Sequence, residues 1–458
     1  MSRRILVGAV LLWAMPAVVG SASQQPRRDR PNIVLIVGDD MGYHDIGLHG
    51  STDIPTPHID SIARTGVRCT SGYVSGPYCS PTRAGLLTGR YQQRFGHEFN
   101  PGPPGPRTEQ VGLSLDEQTL PQKLRTAGYA TGMVGKWHLG HAAPFHPTAR
   151  GFQEFFGFLG GAHPYLPGRD PVNNRVMRGS TPVDETEYLT DAFKREATSF
   201  IDRHKSDPFF LYLAFNAVHT PMHTVDRYRS RFPGITDPKR QTYAAMMSAM
   251  DDAVGDVLAR LKANGLDDNT LVCFISDNGG PLAVNGSDNT PLNGRKATTW
   301  EGGIRVPFMA RWPGKIPAGR TFDRPVIQLD LHTTALAAAG VKTDAGPKLD
   351  GVDLLPYFSG RREGDPHEAL FWRFGEQTAI RVGDWKLVRA AGARRGMAAV
   401  SPAMLFDLKS DIGEKMDLAA GQPERVKSMQ AVWERWNAEL KAPTWGPARA
   451  RAAADNDD

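Results

Sequence analysis

Four short apolar segments limit what this chain can become. Residues 31–37, 129–134, 208–214 and 270–275 are runs of mostly apolar side chains with no polar face. Runs of that length and character suit strands buried on both faces of a sheet. Segments with helical spacing lie between them. Residues 118–128 carry Leu120, Leu124 and Ala127 in register, and 240–263 carry Met250, Val254, Leu258 and Leu261, with Asn264-Gly265 as a stop. A third helix places Phe193, Ala197, Phe200 and Ile201 on one face, with Thr190 as its expected cap. Helix then strand, repeated, predicts a doubly wound α/β domain with a mostly parallel sheet.

Every predicted strand ends in polar residues. The endings are Gly38-Asp39-Asp40, Gly135-Lys136-Trp137-His138, His219-Thr220-Pro221 and Ser276-Asp277-Asn278-Gly279-Gly280. Ligands of such sheets bind beyond the carboxyl ends of the strands, so four polar endings predict one shared site. Asp39, Asp40, Asp277 and Asn278 offer only hard oxygen donors, which suit Ca²⁺ or Mg²⁺ rather than Zn²⁺. Adjacent acids after a single strand would equally serve as caps or turn formers. Two such pairs at two strand ends favour a metal.

A further stretch, Cys79-Ser80-Pro81-Thr82-Arg83, reads as the start of a helix, because proline is accepted in a first turn. Cys79 then sits where backbone N–H groups favour negative charge, and Arg83 follows one turn later. Alone, such a cysteine is most simply a small buried hydrophobe.

Composition sets the outer bounds. With 458 residues, 40% of them hydrophobic, the chain can bury one large core and a smaller one. A net charge of +5 without a long basic run permits anionic substrates and argues against nucleic acid. Arg27-Arg28 and Arg394-Arg395 are too short to count as more than solvated surface. Residues 1–22 read as a secretory signal: Arg3 and Arg4 precede an apolar run that Pro16 interrupts, followed by Gly20-Ser21-Ala22. The run is short for a membrane anchor, so a periplasmic or secreted protein without a stable anchor is expected. Cys69 and Cys273 are expected to be small buried hydrophobes rather than a pair.

Pro/Gly-rich stretches occur at 100–112 and 141–172. The second contains Phe155, Phe156, Phe158, His163 and Tyr165, and reads equally as a rim loop shaping access or as a loop packed down by its own aromatics. The large domain is expected over 31–358, with a linker after it. A small strand-plus-helix domain follows over 367–445, its helix carrying Val426, Met429, Trp433, Trp436 and Leu440. A tail without fixed structure is expected over 447–458.

Cys-x-Pro-x-Arg followed by Ala84-Gly85-Leu86-Leu87-Thr88-Gly89-Arg90 closely resembles the signature of type I sulfatases, within the alkaline phosphatase superfamily. The resemblance runs from about residue 31 to about 418 and is of the arylsulfatase and N-acetylgalactosamine-6-sulfatase kind. A cysteine-phosphatase loop fits poorly, since Gly85 stands where its arginine would be. The resemblance implies an alkaline-phosphatase-like fold with a small C-terminal domain. It also implies that Cys79 is converted to formylglycine by a formylglycine-generating or radical sulfatase-maturating enzyme. The matching metal set is Asp39, Asp40, Asp277 and Asn278 with the modified Cys79, holding one Ca²⁺. Lys136 and His138 match the family's Lys-x-His pair, His219 its His-x-Pro histidine, and Lys296 its later active-site lysine. The implied cycle has a hydroxyl of the hydrated aldehyde attack sulfur, with Asp277 as base. His219 and Lys296 protonate the departing alcohol, and His138 takes a proton from the second hydroxyl to expel sulfate. Arg83 and Lys136 offset charge. The implied substrate is a sulfated small molecule or glycan. Ala297 departs from the family's usual glycine, and its methyl is expected to narrow the pocket. The rival readings are a phosphodiester or phosphonate monoester hydrolase, and an inactive sulfatase fold that binds sulfated glycans.

Overall fold

A computed structural model describes residues 30–103, 105–343, 346–391 and 400–446. The expected signal over 1–22, the tail over 447–458 and both arginine pairs lie outside the described residues.

A ten-stranded sheet forms the centre. Its middle five strands are all parallel, in the order Thr270–Ser276, Asn32–Gly38, Phe209–Ala214, Ala130–Lys136 and Glu154–Phe158. The four predicted strands are therefore neighbours, and their carboxyl ends lie along one edge. Burial on both faces explains their composition. Along Asn32–Gly38, Val34 and Ile36 enter one apolar core, while Ile33, Leu35 and Val37 enter the other. Helices Leu189–Arg203 and Pro238–Ala263 cover the first face, and Cys79–Thr88, Leu120–Thr126 and Leu329–Ala338 cover the second. Doubly wound α/β architecture with a mostly parallel sheet is what the chain adopts. Antiparallel pieces finish both edges, including Phe308–Arg311 beside Thr270–Ser276.

Several local expectations are corrected. Tyr188, not Thr190, precedes the helix Leu189–Arg203, and the buried Thr190 hydroxyl has no partner there. The helix expected over 118–128 is shorter, because Thr119 and Gln122 form a reciprocal cap that starts it at Leu120. The stretch 141–172 is not simply a loop. Glu154–Phe158 within it is a strand of the main sheet, with Phe155, Phe156 and Phe158 buried. Tyr165 is also buried, and its hydroxyl donates to the carbonyls of Asn216 and His219. This half of the stretch is packed down by its own aromatics and fixes the segment that carries His219.

The C-terminal part is a separate antiparallel sheet, Leu370–Phe374, Gln377–Val382, Trp385–Arg389 and Met404–Asp407, against which helix Pro423–Asn437 packs. Trp372 ties it to the large domain by donating from Nε1 to the carbonyl of Val74, just after the short strand Gly72–Tyr73, at 2.7 Å. No described helix is long and apolar enough to cross a membrane.

Candidate active site

The site is assembled from strand ends and one helix start. Helix Cys79–Thr88 begins at Cys79 itself, and every one of its residues is buried. Pro81 occupies its first turn, where no N–H is required. Gly89 closes the helix in the left-handed region, donating to the Gly85 carbonyl at 2.8 Å. The helix thereby points its N-terminal end, with Cys79, at the carboxyl edge of the sheet.

All the sequence-predicted residues converge there. Lys296 Nζ lies 3.3 Å from Cys79 Sγ and 2.6 Å from Asp40 Oδ1. Asp39 Oδ1 is 3.7 Å from the same sulfur. Lys136 pairs with Asp39. Arg83 is fully buried: Nε and Nη2 donate to Asp277 Oδ2 at 3.0 and 2.8 Å, and Nη1 donates to the Lys136 carbonyl at 3.0 Å. His219 Nε2 stands 3.6 Å from Asp40 Oδ2. Asn278 Nδ2 donates to Asp40 Oδ1 at 2.7 Å. Both Asp40 and His138 adopt positive φ, 63° and 59°, the turn that brings each side chain back over its own strand end.

Electrostatics separate these groups. Burial would raise the Asp39 carboxyl, but Lys136, His219, Arg83 and Lys296 hold it well below the usual carboxylate range. Asp277 is pushed up to about 6 by burial and by Asp39, against the pull of Arg83. Burial lifts the Cys79 thiol to about 12 despite Lys136 and Lys296, so it stays protonated and is a poor nucleophile at neutral pH. His138 is driven well below the ordinary histidine range by burial and by Lys136 and Arg83, so it is neutral. Burial tends to lower Lys296, yet Asp40 and its neighbours raise it far above its ordinary value, so it is a charged ammonium.

The donor set fits a hard divalent cation. Asn278 Oδ1 is buried and accepts no hydrogen bond, an expensive orphan unless something positive binds it. Oxygens of Asp39 and Asp40 cluster with Cys79 Sγ and a His219 ring nitrogen, all within 4.8 Å of one another. Asp277 faces this group with its other side committed to Arg83.

Two contributors escaped the sequence reading. Ser80 donates from Oγ to the His138 carbonyl at 2.6 Å, and His97 Nε2 lies 2.6 Å from the same hydroxyl. The position is an unspecified one in Cys-x-Pro-x-Arg, and only the fold shows it bracing His138. Tyr78 places its ring 5.2 Å from the Lys296 ammonium. The Ala297 methyl, expected to narrow the pocket, also bears on the backbone. Ala297 sits at φ 67°, so the cost of lacking a glycine there is backbone strain.

Comparison with known proteins agrees with this arrangement. The sulfatase family profile matches residues 31–341, and the profile for the C-terminal part of N-sulphoglucosamine sulphohydrolase matches 295–440. Dog N-acetylgalactosamine-6-sulfatase is 37% identical over 82% of this chain and 74% of its own. Mouse arylsulfatase J is 32% identical over 91% of this chain and 80% of its own. Among solved structures, Ps i-CgsB in complex with k-i-k-neocarrahexaose superposes with a TM-score of 0.85 at 38% identity, covering 91% of this chain and 94% of that one. A phosphonate monoester hydrolase of Agrobacterium radiobacter, at 21% identity and a TM-score of 0.61, shares the fold alone. The place of Cys79 at the helix start, the acid-rich strand ends and a profile spanning most of the chain agree, and the chain belongs to the sulfatase family, enzymes that hydrolyse sulfuric esters.

Proposed function

We propose that this chain is an exported sulfatase that removes sulfate esters from carbohydrates, with formylglycine at position 79 and one Ca²⁺. The observation that carries the reading is the packing of Cys79 Sγ, Lys296 Nζ and the Asp39 carboxylate at the meeting point of the parallel strands. A saccharide is favoured over a simple aryl sulfate because the relatives of 37–38% identity are an N-acetylgalactosamine-6-sulfatase and a protein crystallised with a neocarrahexaose.

As it stands, the thiol is too weakly acidic to do the chemistry. Oxidised to formylglycine and hydrated, position 79 would supply two hydroxyls, one to attack sulfur and one to release sulfate. A Ca²⁺ held by Asp39, Asp40, Asp277 and Asn278 would supply positive charge to the sulfate oxygens. The remaining work falls to side chains already in place. Asp277 is poised to accept the proton of the attacking hydroxyl at Oδ1, since its Oδ2 is held by Arg83. Lys296 Nζ and His219 Nε2 flank Asp40, and a single proton passes from this pair to the departing alcohol oxygen. His138, neutral and with an unpartnered Nδ1, accepts the proton of the second hydroxyl. Lys136 and Arg83 offset charge that builds up as the ester bond breaks.

The decisive experiment joins mass and activity. The peptide containing Cys79, from protein made in its own host, should carry formylglycine, and that preparation should release inorganic sulfate from sulfated saccharides. Faster turnover of matched phosphonate esters would overturn the proposal. So would modified protein that binds sulfated glycans without hydrolysing them.

A further inference from the structure

We propose that Gln377, on the second strand of the small C-terminal sheet, is a positioning residue for Lys296. The proposal rests on the reading of Lys296 as the group that assists the leaving alcohol. Lys296 does not lie on a strand or helix; it opens a bend, 296–300, that leads into the helical turn Glu301–Ile304. Such a bend needs external support to hold a charged group within hydrogen-bonding distance of Asp40.

The support comes largely from the small sheet. The buried Gln377 carboxamide spans the bend. Its Nε2 donates to the Ala297 carbonyl at 3.0 Å, and its Oε1 accepts from Thr299 N–H at 3.4 Å and from Ala391 N–H at 3.0 Å. Thr299 Oγ1 reaches the Arg389 carbonyl at 3.3 Å, and Trp300 Nε1 reaches the Ala391 carbonyl at 3.1 Å. Of the two bend residues that Gln377 holds, Ala297 at the shorter distance is the one in the left-handed region. An alanine is strained in that region, so without a partner the backbone gains by relaxing out of that conformation. Relaxation at Ala297 would swing Lys296, its neighbour, away from Asp40 and the nucleophile. On the opposite side the bend is held by the Ala297 N–H to Pro77 carbonyl bond and the Lys296 N–H to Gly280 carbonyl bond, and within itself by Thr298, whose N–H and Oγ1 both donate to the Arg295 carbonyl. Of the small sheet's contacts with the bend, the Gln377 amide is the one that reaches Ala297, next to Lys296.

The test uses mature enzyme carrying formylglycine and two substrates: an aryl sulfate with an activated leaving group, and a saccharide sulfate whose leaving group is an ordinary alcohol. Gln377→Ala should lower kcat on the saccharide sulfate by on the order of tenfold to a hundredfold, with KM little changed and the aryl sulfate little affected. In a Lys296→Ala background, Gln377→Ala should cost nothing further, because it acts through the lysine. Gln377→Glu keeps the acceptor for Thr299 and Ala391 and loses the donor to Ala297. It should fall between the two, and it carries the test if the alanine variant does not fold. Additive losses in the double variant, or equal losses on both substrates where Lys296→Ala discriminates between them, would overturn the proposal. If Lys296→Ala itself fails to discriminate, the leaving-group role is wrong, and the double variant still decides whether Gln377 works through Lys296.

Discussion

At the scale of single residues, position and environment outweigh identity. Cys79 is buried among cations, yet burial wins and leaves it a protonated thiol. Its side chain is small and nearly unexposed, so replacing it leaves only a minor void. Cys79→Ala should abolish turnover while far-UV circular dichroism and the urea midpoint stay close to wild type, a loss of about 1 kcal/mol at most. Residual turnover above background would place the nucleophile elsewhere. Ala297 offers a test of opposite direction. At φ 67° it carries strain that glycine would not, although glycine also loosens the unfolded chain. Ala297→Gly should be stabilising by roughly 0.5–1 kcal/mol in denaturant unfolding. A destabilised variant would mean that the methyl makes packing contacts worth more than the strain. Ala297 also shows how far sequence reading reaches. The departure from glycine was visible, but its meaning depended on a backbone angle that one sequence does not display.

Between elements, the small sheet meets the large domain through an apolar cluster and a buried group of ion pairs beside it. Lys386 Nζ, fully buried, lies 2.9 Å from Glu301 Oε1 and 2.8 Å from Glu414 Oε1. Glu301 also accepts from Tyr73 and Arg305, whereas Glu414 accepts from the Glu301 N–H at 2.8 Å. One lysine cannot fully serve two carboxylates. Burial and the nearby Glu301 raise Glu414 to about 7, while Glu301 is held at about 2 by Lys386 and Arg305 against its own burial. The folded state therefore binds a proton at Glu414 that the unfolded chain releases near its ordinary value of 4.5. Stability from this group is fully present below about pH 4.5 and is lost as pH climbs towards 7. Glu414→Gln should flatten that decline in unfolding free energy between pH 5 and 7; an unchanged slope would assign the titration to another group. None of this was legible beforehand, because Glu301, Lys386 and Glu414 are far apart in sequence and each looks like an ordinary surface charge. The parallel strands were legible, since burial on both faces leaves an unbroken apolar run. Glu154–Phe158 was not, because it sits inside a Pro/Gly-rich stretch and is only five residues long. The helix cap at Thr190 failed because the turn before Leu189 is closed by backbone rather than by a side chain.

Across the whole molecule, the fold spends stability to gather charge. Asp39, Asp40 and Asp277 are buried beside Arg83, Lys136 and Lys296, a cluster that apolar side chains could replace with little loss or a gain in stability. The strand endings made this meeting point predictable, because parallel strands in one sheet must present their carboxyl ends together. What the ion pairs do not satisfy is Asn278 Oδ1, buried and without a partner. A cation bound to the folded state alone would repay that orphan and tie two adjacent strand ends together. Added Ca²⁺ should then raise the thermal midpoint in a concentration-dependent way, with about 2.7 kcal/mol of stabilisation at a hundredfold excess over Kd. Chelation should reverse the rise. Calorimetry of the mature protein measures this without any assay of turnover. Asn278→Ala removes the orphaned oxygen and should weaken the Ca²⁺ dependence, lowering the midpoint most when the ion is present. A midpoint that ignores both Ca²⁺ and chelator in the wild-type chain would mean that Asp39, Asp40, Asp277 and Asn278 hold no metal, and that Arg83, Lys136 and Lys296 balance these carboxylates without one.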